Sequence, residues 1–104
     1  MSEITDLCDR VLDLVDTIDH EQLIRLCDIS LVIEKDTLDE YGGLLSIISV
    51  NIYKGEQLLG CIDLPAYGDT RFVPYVNTIE KQPFLRHLIE LLETRVQLQG
   101  ETNE

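Results

Sequence analysis

Asp6, Asp9, Asp13 and Asp16 recur at steps of three, four and three. On a helix, steps of three and four advance about 4.5 and 6 Å along the axis and keep the carboxylates on one side, as a rail about 15 Å long. Phosphates along one DNA strand rise about 3.4 Å each, so a carboxylate row of this length can occupy a basic channel built for nucleic acid. The plainer alternative is a solvated helix face partly neutralised by Arg10, which lies four residues after Asp6 and three before Asp13. Asp19, Glu21, Asp28, Glu34, Asp36, Asp39 and Glu40 continue the acidity beyond this segment.

Other chemistries find less support. Hard cations take oxygen ligands, but no stretch has the acid spacing, glycine and terminal glutamate of a calcium loop. Glu34, Asp36, Asp39 and Glu40 before Gly42 resemble one only loosely. Neither the cysteines nor the two histidines have zinc-ligand spacing, so no metal and no cofactor is expected. Cys61, Asp63 and His87 are the residue types of a thiol enzyme, yet only the fold could bring them together. Cys61 sits in an apolar run, where a small buried thiol is common. Gly42-Gly43 lacks the longer glycine-rich signature of a phosphate loop. Enzymatic activity is not expected.

Two features point to contact surface. Tyr67, Phe72 and Tyr75 crowd a segment punctuated by Pro and Gly, either as covers of a core or as aromatic anchors on a binding edge. Arg95 falls, by helical phase, within the apolar stripe of Phe84, Leu88 and Leu91. It either snorkels or pairs with a neighbouring acid, or it belongs to a subunit interface of a homodimer, where Arg is enriched.

The elements that must position these residues follow from periodicity. Residues 3–17 read as an amphipathic helix with Ile4, Leu7, Cys8, Val11, Leu14, Val15 and Ile18 on one face, capped by Ser2. Asp19 and Gln22 suggest a capping box for a short helix over 20–28, burying Leu23, Ile24 and Cys27. Ile29 to Glu34 is β-branched and reads as the start of a strand or as continued helix, and 35–43 as an acidic connection. The clearest β signal is a hairpin over 44–64, whose arms flank Lys54-Gly55-Glu56. Arg71 to Val76 reads as a strand that Pro74 confines to an edge. Pro83 opens a final helix, with Arg86 and Glu90 paired along it and Gly100 just past its end. The expected fold is α+β: one domain over 1–100, an antiparallel sheet with a central hairpin at 44–64 covered by N- and C-terminal amphipathic helices, and a frayed tail over 101–104.

Charge and composition narrow the function. Of the net −12, most lies in residues 1–40, which hold twelve acids against three bases. No stretch supplies the basic footprint that direct nucleic-acid binding or docking on an anionic membrane requires. No apolar run reaches the roughly 18 residues needed to span a bilayer, and the N-terminus lacks the pattern of a secretory signal. Cys8, Cys27 and Cys61, odd in number and widely spaced, favour reduced thiols in a cytoplasmic protein. The expected function is a non-enzymatic regulator or inhibitor that engages a protein with a basic, nucleic-acid-binding surface. Its concrete form is a nucleic-acid mimic of the kind some phages deploy against host defence, with Asp6, Asp9, Asp13 and Asp16 steering and Tyr67, Phe72 and Tyr75 anchoring. The alternatives are a small homo-oligomeric adaptor whose acidity only confers solubility, and a small enzyme or ligand-binding domain with an unrecognised pocket.

Overall fold

Leu23 to Pro74 form one five-stranded antiparallel sheet, and each strand pairs with the next along the chain. The computed structural model describes residues 3–18 and 22–102. In order they form α1 (Glu3–Thr17), β1 (Leu23–Leu26), β2 (Ile29–Leu38), β3 (Leu44–Lys54), β4 (Gln57–Pro65), β5 (Arg71–Pro74) and α2 (Lys81–Thr102). Both helices pack on one face of the sheet, which makes the domain α+β. Among the described residues no helix is long and apolar enough to cross a membrane.

The core is the layer between helices and sheet. Cys8, Val11 and Val15 of α1 and Leu85, Leu88 and Leu92 of α2 close on Ile24, Leu31, Val50, Ile52 and Ile62. Ile48 packs against it half-buried. Period-two alternation sets the register: Ile33, Val50 and Ile62 lie opposite one another on the covered face, and Glu34, Ser49 and Asp63 on the other. The ring of Phe72 stacks on Phe84 of α2, with centroids 5.5 Å apart. Gly60 lies beneath it, where a Cβ would come within 2.7 Å of that ring. Glycine is required there by close approach rather than by backbone conformation.

Several expectations need correction. Residues 23–26 are a strand, not part of a short helix over 20–28: Leu26 pairs with Ile29 across a two-residue turn at Cys27-Asp28. Cys27 takes a left-handed φ of 54°, as a primed hairpin turn requires, and is exposed rather than buried. Leu23 is likewise exposed, and only Ile24 of the expected three is core. The capping residues Ser2 and Asp19 lie outside the described residues. β2 continues to Leu38, so the connection expected over 35–43 shrinks to 39–43. Asp39 Oδ1 closes that turn by accepting from the N–H groups of Tyr41 and Gly43 at 2.8 and 2.9 Å. The backbone of α2 runs through Gly100 to Thr102, while 103–104 of the expected tail lie outside the described residues.

The β2–β3 hairpin reaches past its neighbours. β1 covers β2 only as far as Val32, and β4 pairs with β3 no further than Ser46. Leu44, Leu45 and Ile47, apolar on both faces, are therefore exposed and not sandwiched as in a buried central strand.

Candidate functional site

The rail forms on α1. Asp6, Asp9, Asp13 and Asp16 all lie on its exposed side, opposite Cys8, Val11 and Val15. Helix geometry fixes their spacing, and the buried stripe fixes the helix against the sheet.

The neutralising partner does not stay within the helix. Arg10 reaches across to Glu93 of α2, its Nη2 3.3 Å from Oε2. Arg86, expected to pair with Glu90, instead binds Glu3 of α1. Both arginines thus stitch the helices together, as exposed pairs of modest energy. Among the described residues no ion pair reaches Asp6, Asp13 or Asp16. Asp9 accepts a 2.5 Å hydrogen bond from the hydroxyl of Thr70, which is buried in the β4–β5 connection. The rail consequently keeps its net charge and gains one fixed point against the sheet.

The aromatics divide. Tyr67 and Tyr75 are exposed, and both line a groove of about 650 Å³ on the face of the sheet that the helices leave open. Phe72 is 4% exposed on the covered face, so it is core and not a surface anchor. Adjacent strand residues point to opposite faces, and that parity separates Phe72 from Arg71 and Val73. The rail and the groove face opposite sides of the sheet, so one flat partner surface does not cover both.

A polar ladder crosses the floor of the groove. Glu34, Ser49, Asp63 and Arg71 are successive cross-strand partners on β2 to β5. Ser49 donates its hydroxyl to Asp63 Oδ1 at 2.9 Å, and Arg71 reaches Asp63 Oδ2 at 3.2 Å. Asp63, only 7% exposed, is satisfied on both oxygens, as a buried carboxylate must be. The Arg71 side chain remains 64% exposed. Its guanidinium is open to a second anion.

Cys61 shares this floor, and its thiol is raised above the ordinary range by burial first, then by Asp63 and Glu34. Its thiolate is disfavoured at neutral pH, the reverse of an activated nucleophile. His87 is exposed on α2, across the sheet from Cys61. The Cys61–Asp63–His87 set is not assembled. Cys8 is pushed up to about 11, chiefly by burial. Among the described residues no group of three or more His, Cys, Asp or Glu is placed to hold a metal ion; Asp39 is engaged in its own turn. Arg95 is half-buried, and its Nη1 donates to the Arg25 carbonyl at 3.4 Å, tying α2 to β1.

Sequence reasoning passed over Ser49 and Arg71, whose meeting depends on register across three strands. It also passed over the exposed tip residues Leu38 and Tyr41. The signal available was Leu44-Leu45 and Ile47-Ile48, apolar on both faces beside an acidic turn. Compared with protein-family models, curated proteins and solved structures, the chain matches none.

Proposed function

We propose that this chain is a non-enzymatic protein-binding regulator whose α1 face engages a basic, nucleic-acid-binding surface of another protein. The observation that carries this reading is the unneutralised rail: Asp6, Asp13 and Asp16 are exposed without an ion pair among the described residues, although Arg10 stands between them in sequence. A rigid row of carboxylates steers a basic groove at long range and sets its orientation. Phe72 has no part in this contact.

The test uses immobilised wild-type chain and a variant with Asp6, Asp9, Asp13 and Asp16 changed to Asn. Proteins retained by wild type at low salt should be released by rising salt and by added double-stranded DNA, and the variant should not retain them. Equal retention by both baits would refute the reading. A homo-oligomeric adaptor is the second reading, favoured by the exposed apolar hairpin tip.

A further inference from the structure

The tip of the β2–β3 hairpin carries Leu38, Tyr41, Leu44, Leu45 and Ile47 at 61, 89, 43, 57 and 44% exposure. Tyr67, 93% exposed, stands on the adjoining loop, which the Ala66 N–H ties to the Leu45 carbonyl at 3.1 Å. Together these six residues expose an area on the order of 800 Å² over both faces of the tip, a large exposure of apolar and aromatic residues for a domain of this size. One side of a standard protein interface is about 800 Å².

We infer that this end of the domain is a homodimer interface, in which a two-fold axis near Leu44 and Leu45 sets the hairpin tip of each copy on the open-face groove of the other. The groove's walls are Leu44, Leu45, Pro65, Tyr67, Val73 and Tyr75, apolar or aromatic like the tip. The tip brings the carboxylates of Asp36 and Glu40, and the groove holds the exposed guanidinium of Arg71 beside the carboxylates of Glu34 and Asp63, so apolar burial and not charge carries the contact. Knob and groove therefore both belong to this chain and are complementary to each other. A two-fold contact uses each of them twice and closes without propagating. Both helices lie on the opposite face of the sheet, so the dimer leaves two α1 rails open.

Two chains of net charge −12 repel, and salt screens that repulsion over about 8 Å at physiological strength. The dimer therefore tightens as salt rises, whereas capture of a basic partner by α1 weakens. The opposite salt responses separate this inference from the proposed function.

Sedimentation equilibrium of the full chain at tens of micromolar tests it. Wild type should sediment at twice 11.9 kDa, with a dissociation constant that falls as salt rises. Leu45→Asp and Tyr67→Asp should each weaken the dimer at least tenfold while circular dichroism stays unchanged. Tyr67→Asp alters a side chain on an exposed loop, so it reads the interface even where Leu45→Asp perturbs the hairpin. Changing the four α1 aspartates to Asn should leave the dimer intact. A wild-type chain that stays at 11.9 kDa at the highest concentration and salt, or a dimer indifferent to both tip variants, would overturn the inference.

Discussion

Phe72→Ala distinguishes a core aromatic from a surface anchor. The side chain is 4% exposed and stacks on Phe84, and removing a buried phenyl costs about 3–5 kcal/mol. At about 4–8 °C per kcal/mol for a domain near this size, the melting temperature should fall by about 12–40 °C. Tyr67→Ala, at a side chain 93% exposed in the single chain, should stay within about 0.5 kcal/mol of wild type when both are unfolded at concentrations too low for dimerisation. Gly60 supplies an internal check. A Cβ there meets the Phe72 ring at 2.7 and 2.9 Å and the Val73 carbonyl at 3.0 Å, so Gly60→Ala alone should cost about 1–3 kcal/mol through overpacking. With Phe72 already truncated the ring contact is gone, and the second change should be cheaper by about 0.5–3 kcal/mol. Urea unfolding of wild type, both single variants and the double variant completes the cycle. A Phe72→Ala loss below about 1 kcal/mol, or strict additivity with Gly60→Ala, would refute this packing.

Leu88→Ala, at a fully buried α2 position, should cost about 2–5 kcal/mol in the same urea assay. Thiol titration should find three groups after denaturation, and in the native state exposed Cys27 should react first and buried Cys8 last. The folded Cys8 thiol is raised to about 11 from the ordinary 9.0, so the unfolded chain releases this proton first. Its stabilising contribution is complete below pH 9.0 and is lost as pH climbs toward 11. Urea midpoints at neutral and alkaline pH should show a steeper decline for wild type than for Cys8→Ala.

Long periodic segments were readable from sequence alone. α1 presents fifteen residues of helical period, and the hairpin at 44–64 has alternation in both arms with glycine in its turn. β1 was not readable, because four residues are too few to tell period two from 3.6 and Cys27-Asp28 carries no glycine to announce a turn. The far half of β2 looked like a loop since Lys35 and Asp36 open a charged run; it is a strand that has run beyond the shelter of β1. Arg10 and Arg86 illustrate another limit. Helical spacing gives their neighbours on the same helix, but their partners come from helix packing. Of the aromatics, the strand parity that buries Phe72 and exposes Arg71 becomes usable only once the edge strand's pairing is fixed. The acidic rail needed only α1 itself, and for that reason it was legible from the start.

Under the proposal, the α1 carboxylates recognise a basic partner. The most direct test of this claim is the association rate of a partner retained by the wild-type chain, measured against ionic strength for wild type and for the variant with Asp6, Asp9, Asp13 and Asp16 changed to Asn. Wild type should associate fast and lose rate steeply with salt, while the variant, its helix intact by circular dichroism, should associate slowly with a nearly flat dependence. Equal rates and equal salt slopes would contradict the claim.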